Sequence, residues 1–163
     1  MDIYLDVDDV VADWMAYARV FFKRNFQVGE RLPPTEWSRL KDDQRMYSKL
    51  ELRAGAVELV DWCREYRDRT GAGLYFLTAI PRNNDMPWAV QDKVLWCQKY
   101  FPDVPMFLGP RSHEKADRCT PGDILIDDRT SNCEDWVEAG GRAHIYRDWD
   151  ACKLWLEQEL GQD

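Results

Sequence analysis

The sequence is poor in the residues from which many metal and catalytic sites are built. Its 163 residues include only two histidines, so a His-based zinc site or a Ser-His-Asp triad is hard to assemble. Its five cysteines are widely spaced and form no Cys-x-x-Cys pair, which favours reduced thiols over a disulfide framework. The sequence also has no apolar run long enough to cross a membrane. We therefore expect a cytoplasmic protein without membrane contact.

Positive charge is also scarce. The chain has 22 Lys and Arg against 30 Asp and Glu, for a net charge of −8. Stable binding to a nucleic-acid backbone needs a basic surface, so we expect none here. The 45% of hydrophobic residues indicates a globular protein. The length predicts one domain, residues 1–163, and leaves open whether it is a monomer or a homodimer.

Apolar strand-like runs alternate with amphipathic helix-like segments along the chain. This alternation is typical of βαβ units and predicts an α/β fold with a doubly wound parallel sheet of about five strands. The first strand should be followed by a helix over residues 10–26. The pattern then loosens around Pro33 and Pro34. It predicts a small helical cap, about residues 13–52, inserted after the first strand and helix.

Polar groups follow three of the predicted strands. Asp6 and Asp8 come after the first strand, Thr78 ends the second, and Asp127-Asp128 follow the fourth. Ligands bind beyond the carboxyl ends of strands in open α/β sheets, so these side chains should converge. Close carboxylates repel one another unless a cation intervenes, and Mg²⁺ prefers oxygen ligands. The pattern predicts a Mg²⁺ site that includes Asp6, Asp8 and the Asp127-Asp128 pair.

This set of residues suits phosphoryl transfer. Asp6 is predicted to attack a phosphoryl group and form an aspartyl phosphate. Asp8 would protonate the leaving oxygen and then activate water. Thr78 would donate to the phosphoryl oxygens, and Lys115 would offset their charge. Lys115 is the preferred candidate because it lies in a loop, whereas Lys93 and Lys99 are predicted to be helical and solvent-facing.

The four motifs resemble those of the haloacid dehalogenase superfamily of phosphohydrolases. They are Asp6-x-Asp8 after an apolar strand, Thr78, Lys115 and Asp127-Asp128. Asp8 is similar to the second acid that distinguishes the superfamily's phosphatases from its dehalogenases. By analogy with members that have a Gly-Asp fourth motif, the resemblance implies that Asp128 binds the metal and Asp127 supports it.

A closer resemblance is to the 5'(3')-deoxyribonucleotidase family. It covers most of the chain and is carried by Asp6 to Trp14, Gly55-Ala56-Val57, Leu77 to Pro81 and Gly122 to Arg129. The resemblance implies a Mg²⁺-dependent enzyme that dephosphorylates (deoxy)nucleoside monophosphates. It further implies substrate-binding roles for a set of residues in the site and the cap, namely Trp14, Trp37, Tyr47, Ala79 and Arg111.

Three positions depart from that family. Asp9 replaces the usual glycine, and Ala79 stands where many members have serine. Arg111 and Lys115 are four residues apart, whereas the family usually has two. Ala79 removes one hydroxyl from the phosphate cradle, and the short insertion leaves the preferred base and sugar open. The position of the phosphate stays open as well.

Two other functions fit parts of the pattern. One is a phosphatase for another small phosphate ester or for a 3'-phosphate end on nucleic acid, although the acidic composition disfavours nucleic acid. The other is a phosphorylatable switch or binding module, since receiver domains also cluster acids, a hydroxyl and a lysine at one sheet edge. The order of the residues, with an acid pair after the lysine, favours a hydrolase.

Overall fold

A parallel β-sheet forms the centre of the molecule. The computed structural model describes residues 1–27, 30, 32–43, 45–81, 86–109 and 111–161. The strands pair in the order β3-β2-β1-β4-β5, and all four pairings are parallel. In chain order they are β1 (Asp2–Leu5), β2 (Gly73–Thr78), β3 (Met106–Leu108), β4 (Ile124–Asp127) and β5 (Arg142–Ile145). The predicted fold class and number of strands are confirmed.

Helices connect the strands. The described residues contain the α-helices α1 (Trp14–Phe22), α2 (Pro34–Asp42), α3 (Ala56–Thr70), α4 (Ala89–Tyr100), α5 (Thr130–Glu138) and α6 (Trp149–Leu160). They also contain the 3₁₀ helices Met46–Lys49 and Ser112–Arg118. The carboxylates of Asp13 and Asp148 accept the N–H groups of Ala16 and Ala151, each at 2.9 Å. These bonds satisfy free donors in the first turns of α1 and α6.

The middle of the sheet is buried on both faces. Ile3, Leu5 and Ile126 are completely inaccessible to solvent. Successive residues of a strand point to opposite faces, so Leu5 belongs to the large core cluster whereas Tyr4 belongs to a smaller one around Trp136. Burial on both faces explains why β1 and β4 are nearly continuous apolar runs in the sequence.

The chain changes direction next to β1. It runs outward from β1 through β2 to β3, and then returns to form β4 on the other side of β1. The N–H of Asp6 donates to the carbonyl of Ile126 at 2.9 Å, which extends the pairing of β1 with β4 by one residue. Parallel sheets open a crevice at such a switch point, beyond the carboxyl ends of the strands. The fold therefore places the candidate site where β1 and β4 end.

The first helix is shorter than the predicted span of residues 10–26. It covers Trp14–Phe22, because the chain first makes a tight turn. The N–H groups of Val11 and Ala12 both donate to the carbonyl of Val7, at 3.0 and 2.9 Å. The buried valines of this turn have helical spacing in the sequence, but they pack into the core from a loop.

The two ends of the segment 13–52 lie side by side. The N–H of Asp13 donates to the carbonyl of Glu51 at 2.9 Å, and Ala12 and Leu52 form an antiparallel bridge. Segment 13–52 contains α1, α2 and the 3₁₀ helix Met46–Lys49. Adjacent ends are the geometry that an insertion requires. A function of this segment as a cap stays a prediction.

All five cysteines are unpaired. Within the described residues, no helix is both long and apolar enough to cross a membrane.

Two glycines at opposite ends of α3 provide a matched test of this packing. Gly55 and Gly71 have φ values of +82° and +77°, but a Cβ would lie 2.5 Å from Cβ of Trp149 only at Gly55. We expect Gly71→Ala to lower the free energy of unfolding by about 1 kcal/mol, the cost of a left-handed alanine. Gly55→Ala should lower it clearly more, because α6 must also move. Equal losses in urea denaturation would contradict this account.

Candidate active site

Three carboxylates converge at the ends of β1 and β4. Ligand oxygens of Asp6, Asp127 and Asp128 all lie within 4.8 Å of one another. Asp6 and Asp127 are buried, and Asp128 is partly buried. Asp6 is more than 120 positions from the other two acids in the sequence, and the parallel pairing of β1 with β4 brings them together.

The lysine predicted for this site lies between two of the acids. Nζ of Lys115 is 2.7 Å from Oδ1 of Asp6 and 2.6 Å from Oδ2 of Asp127. The lysine is 1% exposed. Burial lowers the pKa of Lys115, but the two carboxylates outweigh burial and raise it above its ordinary value. Lys115 is therefore a fixed positive charge beside the carboxylate predicted to be the nucleophile.

Asp127 has both carboxylate oxygens occupied by donors. Oδ1 accepts the N–H of Arg129 at 2.9 Å, and Oδ2 accepts Lys115. Nδ2 of Asn132, on α5, lies 3.0 Å from Oδ1 and 2.9 Å from Oδ2. An oxygen that already accepts two hydrogen bonds has little capacity left for a metal. This arrangement favours Asp128 as the metal ligand at the end of β4.

The acids carry more negative charge than the buried lysine can offset. Burial raises the pKa of Asp6 to about 6, although Lys115 acts in the opposite direction. Burial, together with Asp6 and Asp127, raises the pKa of Asp128 to about 8. Desolvated carboxylates with raised pKa values are stabilised by a bound cation. The residues present therefore fit a divalent cation that prefers oxygen ligands.

Lys93 contradicts the prediction that it faces solvent. It is 1% exposed, and its Nζ lies 2.5 Å from Oδ2 of Asp8 and 3.0 Å from Oγ1 of Thr78. The sequence misleads here because Lys93 follows Asp92 in a helix with a weak apolar pattern, which is typical of an exposed face. Only the tertiary contacts of α4 show that this side chain enters the site.

Thr78 and Tyr47 complete the surroundings of Lys93. Thr78 ends β2, is 1% exposed, and is followed by the half-buried Ala79. Nζ of Lys93 lies 4.3 Å from the centre of the Tyr47 ring, a distance at which a cation and an aromatic face attract. Tyr47 is itself buried, so its ring supports the lysine in this structure.

The other predicted substrate contacts lie outside this cluster of charges. Trp14 and Trp37 are half-buried and pack against the core at the first turns of α1 and α2. Arg111 is exposed, and its Nε is 3.9 Å from Oε1 of Glu114. Their contacts with substrate stay predictions.

The unusual residue Asp9 has a structural explanation. Its φ is +60°, a left-handed conformation in which glycine is favoured. Oδ1 of Asp9 accepts the N–H of Met15 at 2.8 Å, which satisfies a free donor at the start of α1. Aspartate tolerates this conformation better than most residues. The side chain thus supplies a hydrogen bond that glycine could not.

The parallel sheet and the acid cluster agree with the resemblance to the haloacid dehalogenase superfamily. The chain belongs to the family described as 5' nucleotidase, deoxy (pyrimidine), cytosolic type C protein (NT5C), whose model matches residues 1–146. Membership confirms the resemblance to deoxyribonucleotidases and makes the chain a phosphoric monoester hydrolase. No curated protein matches the chain.

Two solved structures are similar to this chain. A hydrolase from Streptococcus pneumoniae TIGR4 superposes with a TM-score of 0.55 at 11% identity, covering 96% of this chain and 97% of that one. A hydrolase from Pseudomonas syringae covers 96% of this chain and 98% of its own at 12% identity, with a TM-score of 0.47. At these identities the first likeness supports the architecture alone.

The hydrogen bonds of Asp127 lead to a prediction about metal binding. Asp128→Asn should abolish most Mg²⁺ affinity in calorimetric titration, because it removes a charged ligand. Asp127→Asn should weaken binding less, by about tenfold, the scale expected for a residue that supports a ligand. Equal losses, or a larger loss for Asp127→Asn, would show that Asp127 is the ligand.

Proposed function

We propose that this protein is a Mg²⁺-dependent phosphatase of (deoxy)nucleoside monophosphates that acts through an aspartyl phosphate on Asp6. The observation that carries the proposal is the placement of Asp6, which is buried at the switch point with Lys115 on one oxygen and Asp128 nearby. A buried carboxylate paired with a fixed cation is oriented for attack and shielded from water. Membership of the nucleotidase family supports the substrate class.

The first half of the reaction transfers the phosphoryl group to the protein. A carboxylate oxygen of Asp6 forms a bond to phosphorus while the bond between phosphorus and the sugar oxygen breaks. Asp8 gives its proton to that oxygen, so the nucleoside leaves with a neutral hydroxyl. Bound Mg²⁺ would offset the charge repulsion between the phosphate and the carboxylates.

The second half releases phosphate. Asp8 takes a proton from water, whose oxygen attacks phosphorus, and the bond between phosphorus and the Asp6 oxygen breaks. Thr78 donates its hydroxyl to the phosphoryl oxygens, as Lys115 and Lys93 donate their N–H groups. Lys93 is added to the predicted set because it contacts both Asp8 and Thr78.

We also assign the segment 13–52 as the cap that bounds the substrate pocket. Three contacts join it to α4: Nε of Arg45 lies 2.7 Å from Oδ1 of Asp92, Tyr47 lies under Lys93, and Nε1 of Trp96 donates to the carbonyl of Leu50 at 2.7 Å. These contacts support a cap held next to Asp8. Base stacking by Trp14, completion of the pocket by Trp37 and Tyr47, and a cytoplasmic location belong to the same proposal.

Replacing the nucleophile gives the direct test. Asp6→Asn should lower phosphate release from deoxynucleoside monophosphates by about a thousandfold or more, because the amide cannot form the acyl phosphate. The assay is release from ribo and deoxy monophosphates, 5' and 3', with and without Mg²⁺. Asp68→Asn, which makes the same change of charge at an exposed position of α3, should leave the rate unchanged. Full Mg²⁺-dependent activity in Asp6→Asn would exclude this mechanism.

Lys93 leads to a second prediction with a different readout. Lys93→Met should lower kcat/KM for a nucleoside monophosphate by about a hundredfold, as expected on losing a buried donor that also orients Asp8. The loss should be smaller for p-nitrophenyl phosphate, because nitrophenolate leaves without a proton from Asp8. Lys99→Met, on the same helix but outside the site, is the control. An equal loss with both substrates would mean that Lys93 does not act through Asp8.

A further inference from the structure

Arg53 joins the loop after β1 to a second arginine. Its N–H donates to the carbonyl of Val11 at 2.9 Å, which fixes its backbone beside that loop. The guanidinium then donates through Nη1 to the carbonyl of Asp9 and through Nη2 to the carbonyl of Arg147, the latter at 2.7 Å. The side chain is partly buried, 5.3 Å from the centre of the Tyr146 ring. Arg53 therefore holds two carbonyls that are 138 residues apart in the sequence.

Arg147 extends this link to the loop after β4. Its Nη1 donates to the carbonyl of Asp128 at 2.7 Å and to the carbonyl of Tyr146 at 2.8 Å. The complete chain of hydrogen bonds runs from Asp9 through Arg53 and Arg147 to Asp128. Each end of the chain is the backbone of an acidic loop in the site.

We infer that Arg53 and Arg147 are positioning residues that tie the loop after β1 to the loop after β4 and so fix the spacing of the carboxylates for one divalent cation. The inference rests on the proposed Mg²⁺-dependent reaction. Neither side chain contacts a carboxylate oxygen in these bonds, because both donate to backbone carbonyls. Their effect on the site is therefore exerted through the position of the two loops.

Both loops need such support. The carboxylates of Asp6, Asp8, Asp127 and Asp128 repel one another across the gap between β1 and β4. The backbone at Asp9 is left-handed, a conformation that persists only where surrounding contacts hold it. Mg²⁺ demands nearly octahedral ligand geometry, so a small separation of the loops would lower its affinity.

Replacing either arginine should change the Mg²⁺ affinity in the direction opposite to that expected from charge alone. Removal of a positive charge close to a cluster of acids should, by charge alone, strengthen the binding of a cation. Loss of the link between the loops should weaken it, by about 10- to 100-fold, the range seen for residues that support metal ligands. Arg53→Lys keeps the charge, but lysine cannot donate to two carbonyls as the planar guanidinium does. The Mg²⁺ affinity of Arg53→Lys should therefore lie between that of the parent and that of a variant without the positive charge.

The experiment is calorimetric titration of the substrate-free protein with Mg²⁺ alone. Arg53→Met and Arg147→Met should each weaken Mg²⁺ binding, and the double variant should be about as weak as either single variant, because the two residues act as one chain. Arg142→Met is the matched control. That arginine donates to the carbonyls of Gly122 and Glu159, away from both acidic loops. The Arg142→Met variant should bind Mg²⁺ at least as tightly as the parent.

The possible outcomes separate this inference from the proposed function. If the parent binds Mg²⁺ but Arg53→Met and Arg147→Met bind it equally well or more tightly, the inference is wrong and the proposed function stands. If the parent binds no Mg²⁺, both are wrong. Arg147 is exposed, so Arg147→Met should fold even if Arg53→Met does not, and thermal melting without metal checks this. If the losses of Mg²⁺ affinity added in the double variant, the two arginines would act separately. That result would contradict the inference that they form one continuous link between the loops.

Discussion

Repulsion among buried carboxylates is the constraint on which the rest of this structure depends. The ends of β1 and β4 bring together Asp6, Asp127 and Asp128, and Asp8 and Asp9 follow in the same loop. Within the described residues, two buried lysines offset part of that charge. Lys115 comes from a 3₁₀ helix, and Lys93 comes from α4. The negative charge that the lysines leave uncompensated favours the binding of a metal cation, and a bound cation would in turn attract a phosphate.

The sequence was sufficient to predict the fold and most of the charged residues of the candidate site. Parallel strands have apolar bodies and polar ends, so the convergence of Asp6, Thr78 and Asp127-Asp128 follows from local pattern and sheet geometry. Lys115 could be selected because it lies in a connection between strands. The length of the first helix was wrong, because the turn that begins at Val7 buries valines at helical spacing.

The residues that the sequence did not reveal act over long range. Lys93 pairs with Asp8 from 85 residues away, and no local pattern separates a buried lysine on a helix from an exposed one. Arg53 and Arg147 donate to backbone carbonyls. Every residue has such a carbonyl, so residue type does not identify the partners of these arginines. Metal-binding side chains can be predicted from residue type, whereas the groups that orient them depend on the folded backbone.

Helix α4 and segment 13–52 depend on each other, because each supplies partners for buried side chains of the other. Asp92, Lys93 and Trp96 connect one face of the helix to Arg45, Tyr47 and Leu50 of segment 13–52, and Lys93 also contacts Asp8. A chimera that received this segment from a relative would leave Asp92 buried without its arginine and Lys93 without its aromatic support. The segment and α4 must therefore be exchanged together, even though 36 residues lie between their nearest ends.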